Sequence, residues 1–251
     1  MDENSKRKLI TKYFQPFPQW TVWAIIAGLF LTIAYGLGLI LIGLSVFFIY
    51  KYYTGNPTDA EIDAWLEEDL KSINKASLIK LNVDESELIG ETVEVTGPKF
   101  WDLSDSQFLW KQGKDNILRY SVLGVSLLNF TPNQLLSYYV VLDLTTGKAS
   151  NVNTDEYFYK DVVSVSTKTE SKIFNTSGKI LNMIRDKKKK DTPYTTNSAE
   201  YFTLTTSGGT AISLLVKDET LIKKLNKGTI SMDRTEKAVQ NVRKMIRDKK
   251  G

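Results

Sequence analysis

Ser72-Ile-Asn-Lys75 and Ser77-Leu-Ile-Lys80 both have the Ser-x-x-Lys spacing at which a lysine amine can take the proton of a serine nucleophile. The Ser-Asp-Asn and Lys-Thr-Gly elements that complete such a site do not follow, so both pairs read as chance. The chain has no His and no Cys, which removes His-based metal clusters, thiolate nucleophiles and disulfides together. No Gly-rich phosphate loop and no Gly-x-Ser-x-Gly elbow is present. Asp102 and Asp105, between Trp101 and Trp110, could line a cleft, but a loop pinned by buried Trp is the simpler reading. The residues therefore point away from an enzyme, with no catalytic residue, cofactor or metal site expected. A carboxylate-dependent hydrolase is the distant alternative.

One cluster could bind. Arg185, Lys187, Lys188, Lys189 and Lys190, offset only by Asp186, follow the apolar Ile180, Leu181, Met183 and Ile184. A basic amphipathic segment of this kind can hold to anionic lipid, at about 1 kcal/mol per cation beside the surface. It can equally meet an acidic protein, or be a solvated loop. A net charge of +4 without aromatic-interleaved basic patches gives no reason to expect nucleic acid.

The elements that must position this cluster begin with a membrane signal. Trp20 to Tyr50 carry no charged side chain, Trp20 and Trp23 open the run, and Tyr50, Tyr52 and Tyr53 close it, as aromatic rings do at the headgroup level. One straight helix of that length would reach about 46 Å against a ~30 Å hydrocarbon core. Tyr35-Gly36-Leu37-Gly38 offers a turn, so the expectation is a transmembrane helical hairpin, or else one long helix; the hairpin's arms, roughly Phe17 to Tyr35 and Gly38 to Tyr53, come close to the lower limit of about 17 residues for a span, which implies a shallow or bilayer-thinning hairpin. Lys6, Arg7, Lys8 and Lys12 should hold the leader, residues 1–19, in the cytoplasm. A hairpin at 20–53 keeps the remaining chain on that side, and a single span exports it.

After Gly55-Asn56-Pro57, Thr58 and Glu61 have the spacing of a capping box, and Ile62, Trp65, Leu66, Leu70 and Ile73 recur at helical period. An acidic amphipathic stem over 58–83 is expected, its carboxylates read as a solvated face. From Leu88 the period changes to two, with turns at Pro132-Asn133, Thr145-Thr-Gly-Lys148 and Ser207-Gly208-Gly209, giving about seven antiparallel strands. A final helix should place Ala238, Val242, Met245 and Ile246 on one face, with Lys237, Arg243, Lys244 and Arg247 largely elsewhere.

The stretch Glu156 to Ser166, the strand pair around Ser207 to Thr210 and the final helix with Ala238 and Arg243 resemble bacterial pleckstrin-homology-like (PH-like) domains over about residues 115–250. That resemblance implies an antiparallel β-barrel or sandwich closed by its C-terminal helix, serving binding or scaffolding and bringing no catalytic residues. Residues 172–193 depart from it as a long basic insertion within the β-rich region 84–251.

The expected protein is thus an α+β membrane protein of the bacterial inner membrane, non-enzymatic, whose β-rich domain lies on the cytoplasmic side against anionic lipid or a partner protein. The alternative is a self-assembling component of a larger complex. Ala24-x-x-x-Gly28, Thr32-x-x-x-Gly36 and Ala34-x-x-x-Gly38 would supply its packing surfaces.

Overall fold

The computed structural model describes residues 1–35, 38–103, 108–174, 194–224 and 233–250. They form two compact units, Met1–Ile62 and Asp63–Gly251.

The first unit is helical, with α1 over Glu3–Phe14, α2 over Trp20–Tyr35, α3 over Gly38–Thr54 and the first residues of α4, Asp59–Leu81. Pro16 follows Gln15, which is driven to extended backbone (φ −65°, ψ 134°) and ends α1. α2 and α3 lie together as a hairpin because small residues meet between them. A Cβ added at Gly38 would run into the Gly28 carbonyl oxygen, and one at Gly28 would come within 2.7 Å of Ile42. The small-residue positions Gly28, Thr32 and Gly38 are therefore occupied inside the hairpin. Thr58 and Glu61 cap α4 reciprocally: the Thr58 amide donates to Glu61 Oε2 (2.7 Å) and the Glu61 amide to Thr58 Oγ1 (3.2 Å).

The hairpin itself forms, but the transmembrane reading of it, and the alternative of one long helix, are corrected. No single helix among the described residues is long and apolar enough to cross a membrane. The apolar run is divided into arms of 16 and 17 residues. At ~1.5 Å per residue each reaches only about 25 Å, short of the ~30 Å hydrocarbon core.

The second unit carries nine strands among the described residues rather than about seven. β1 (Val93–Pro98), β4 (Val122–Phe130), β5 (Gln134–Asp143) and β6 (Lys148–Phe158) form an antiparallel sheet in the order β1-β4-β5-β6. β2 (Trp110–Gln112) pairs with β3 (Leu118–Tyr120). β7 (Val162–Phe174), β8 (Tyr194–Thr206) and β9 (Ala211–Asp218) form a third antiparallel sheet in chain order. β8 and β9 make the hairpin expected at Ser207 to Gly209, where Gly209 takes φ +81°. A short helix α5 (Glu219–Lys224) and the long α6 (Asp233–Lys250) end the chain.

The core lies between the sheets, where Val95, Leu128, Leu135, Phe202 and Leu204 meet Val239, Val242 and Ile246 of α6. Lys237, Arg243, Lys244 and Arg247 face outward as their spacing predicts. Gly97 of β1 sits so close to the Leu215 carbonyl of β9 that a Cβ would overlap it, and there the two large sheets approach.

The barrel is the second correction. No closed barrel forms among the described residues, because β6 and β7 end their sheets with no ladder between them. The chain turns through a 3₁₀ segment, Tyr159–Asp161, instead of carrying one sheet into the next. From Lys148 to Glu156 no β6 residue is buried, so that strand presents no apolar inner face to draw closure.

Candidate functional site

The hairpin is the most unusual surface of the chain. Ile33 is 86% exposed, Trp23 and Phe30 71% each, and Leu29, Leu39, Ile40, Val46 and Phe47 are exposed as well. Together with Trp20, Val22, Ile26, Leu31, Leu44 and Phe48 they cover the outward side of both arms, while Gly28, Gly38 and Ser45 lie on the inner side. Isolated apolar side chains on a surface are ordinary, whereas a contiguous coat of this kind marks an interface.

Three hydroxyls of the hairpin are satisfied by nearby carbonyls. Thr21 donates to the Pro18 carbonyl (2.7 Å), Thr32 to Gly28 (2.8 Å) and Ser45 to Leu41 (2.8 Å). A hydroxyl bonded back to its own helix can enter hydrocarbon without leaving a donor unmet.

The aromatic residues that open and close the apolar run lie at one end of the hairpin, as folding the run back on itself implies. α2 starts at Trp20 and α3 ends beyond Tyr53, so in an antiparallel pair Trp20 and Trp23 share the open end with Tyr50, Tyr52 and Tyr53. Trp20 lies edge-on to Phe48 at 5.2 Å, and Phe17 meets Tyr52 at 5.4 Å and Tyr53 at 6.3 Å. Phe17 and Phe48 extend this belt beyond the residues that the sequence singled out. Lys12 Nζ approaches the Lys51 carbonyl at 3.5 Å, placing a cation at the carbonyl-bearing end of α3. Of the leader cations Lys8 is exposed, Lys6 is buried, and Arg7 pairs with Glu3.

Gly38 lies on the inner face opposite the Gly28 carbonyl. Tyr35 closes α2, its side chain outside the described residues, as are Gly36 and Asp105. The basic cluster Arg185, Lys187, Lys188, Lys189 and Lys190 lies outside them too. The serines of the Ser-x-x-Lys pairs are bonded within α4, Ser72 to the Glu68 carbonyl (3.1 Å) and Ser77 to that of Asn74 (2.7 Å).

Within the second unit the acidic stem is not wholly solvated. Asp63 receives Arg119 Nε and Nη2 at 2.8 Å each, while Asp115 receives Nη1 at 3.0 Å and Nη2 at 2.7 Å. The Arg119 hydrogen bond is the largest cause holding the Asp115 carboxyl down at about 2. Asp115 reaches Arg119 through the turn that precedes β3, and Asp63 is brought in by tertiary structure; the sequence reading tied neither carboxylate to Arg119.

A second polar group lies where β1 ends. Lys99 Nζ stands 4.1 Å from the Trp101 ring and Lys172 Nζ 4.5 Å from the Tyr201 ring. Burial lowers the Lys99 pKa, Asp102 pulls it back up, and Lys172 lowers it further. Among the described residues the buried phenols of Tyr120 and Tyr201 have no hydrogen-bond partner, and burial first, then Asp218, raises both.

A cleft of about 290 Å³ also opens between the start of β7 and α6, lined by Val162, Val163, Ser164 and Val165 with Arg243, Ile246 and Arg247. Sequence reasoning missed it, because the two arginines read as a solvated helix face and nothing local told that a strand start lies alongside. The chain matches no family model, no curated protein and no solved structure.

Proposed function

We propose that the α2–α3 hairpin seats in a membrane from one side without crossing it, and that the chain serves there as a non-enzymatic binding or scaffold protein. The observation that carries this is the single aromatic belt at the open end of a hairpin whose arms are apolar over their outward side. One belt suits one interface, and arms of about 25 Å suit insertion that stops inside the bilayer. Both hairpin ends then stay on one side, which the leader cations assign to the cytoplasm. The β-rich unit follows on that side, tethered where anionic lipid and other membrane-bound proteins are concentrated.

The test uses residues exposed on the outward side of the two arms. Phe30→Lys with Phe47→Lys puts two cations where hydrocarbon would be, at about 2.5–3.5 kcal/mol each for a central position. The full chain should sediment with membranes and resist alkaline carbonate, and the double variant should be released. Wild type in the supernatant, or a variant held as firmly as wild type, overturns the reading. Since the chain has no Cys, Leu39→Cys near the hairpin tip and Thr154→Cys on β6 are clean probes. Neither should react with an impermeant reagent in intact cells, and labelling of Leu39→Cys there would show that the tip emerges on the far side.

A further inference from the structure

β6 and β7 are both edge strands, 11 and 13 residues long, and among the described residues neither open edge is hydrogen-bonded to another strand. Long open edges invite pairing and are usually blunted by short length, proline or cover. Neither strand contains proline, and Val152, Phe158, Val163 and Ile173 stand exposed along them. β6 is the more exceptional, since Lys148 to Glu156 are unburied on both faces as well as along the edge.

The charges on the two edges are complementary. Beside the start of β7 lie Arg243 and Arg247, for which no carboxylate partner exists among the described residues. Near the end of β6 lie Asp155 and Glu156, both exposed and without a cationic partner there, Glu156 accepting only the neutral Gln134 amide at 3.2 Å. The exposed Phe158 follows two residues after Glu156, suited to the apolar floor that Val162 and Ile246 give the cleft.

We infer that the β7 edge and its arginine-rimmed cleft receive β6 of a second copy of this chain, joined by antiparallel main-chain hydrogen bonds. The register follows from the charges. Setting Glu156 opposite Val162 turns its carboxylate to the face that α6 covers, beside Arg243 and Arg247, while Asp155 opposite Val163 points to the other face. Counted residue for residue across the irregularities at Ser150 to Asn153 of β6 and at Val163 of β7, the same alignment sets Lys148 opposite Glu170, a second opposite-charge pair. Like charges do not fall opposite one another in this register: Ser150 meets Lys168 and Val152 meets Ser166. The chain's own basic segment at 185–190 is a poor occupant, because it would bring cations to the arginines.

The register puts Thr154 directly opposite Ser164, both exposed. Facing residues in an antiparallel pair have Cβ atoms about 4.5–5.5 Å apart, close enough for a disulfide with small adjustment. Full-length Thr154→Cys and Ser164→Cys chains, tagged to different sizes, are co-expressed and oxidised in unfractionated lysate, so that membrane seating is not presupposed. A cross-linked pair containing one chain of each kind is expected, with no pair from either variant alone. Lys148→Glu in the first chain should lower its yield by up to about fivefold, the upper end for a cross-strand charge pair, and Glu170→Lys in the second should restore it. Arg243→Glu with Arg247→Glu should also lower it. No cross-link, a link only within one chain of a double variant, pairs of Thr154→Cys with itself, or Thr154→Cys captured by another protein each overturn the inference.

Discussion

Removing the two carboxylates that hold Arg119 should reveal non-additive stability. Arg119 is 8% exposed as a side chain, against 54% for Asp63 and 39% for Asp115, so the cation is buried while its partners stand partly in water. Screening therefore limits each pair, and Asp63→Asn or Asp115→Asn alone should cost about 1 kcal/mol, since the remaining carboxylate still balances the guanidinium. The double variant leaves the buried cation without both, a loss that belongs to the ~3–5 kcal/mol class for breaking a buried pair. The expected cost is about 3–4 kcal/mol, exceeding the sum of the single changes by about 1–2 kcal/mol. Urea unfolding of the full chain in detergent, followed by tryptophan fluorescence, measures it, because urea leaves ion pairs unscreened where guanidinium would not. Additivity within about 0.5 kcal/mol would refute the reasoning and make the two carboxylates independent surface contacts.

Asp115 also sets a pH window. Its folded pKa of about 2 lies below the ordinary carboxylate value, so its contribution is full above about pH 4 and lost as pH falls through 2; an acid titration should show a smaller drop for Asp115→Asn than for wild type. Gly38→Leu should destabilise the hairpin by at least ~1–3 kcal/mol, whereas Gly43→Leu, where an added Cβ meets nothing within 4 Å, should be neutral or stabilising; thermal loss of helical circular dichroism in detergent separates them. Tyr159 donates to the Thr131 carbonyl at 2.6 Å in a buried setting, so Tyr159→Phe should cost about 1–2 kcal/mol in the same urea assay.

The amino-acid sequence by itself determined the local features. The capping box at Thr58 and Glu61, the hairpin turn at Ser207 to Gly209 and the apolar face of the last helix each depend on residues within a few positions of one another, and each forms as read. The fold-back of the apolar run was legible for the same reason, and so were its short arms and the placing of both ends on one side. What tertiary structure added is the contact of Trp20 with Phe48 across the two arms, and no described helix is long and apolar enough to cross. β6 escaped because a strand exposed on both faces has no apolar alternation to reveal it, and the same lack of an inner face leaves the barrel open. Asp63 and Arg119, or Val163 and Arg247, are far apart in the chain and carry no periodic signal linking them. Their meeting is decided by how α4 and α6 pack on the sheets, a long-range arrangement that local propensity does not encode.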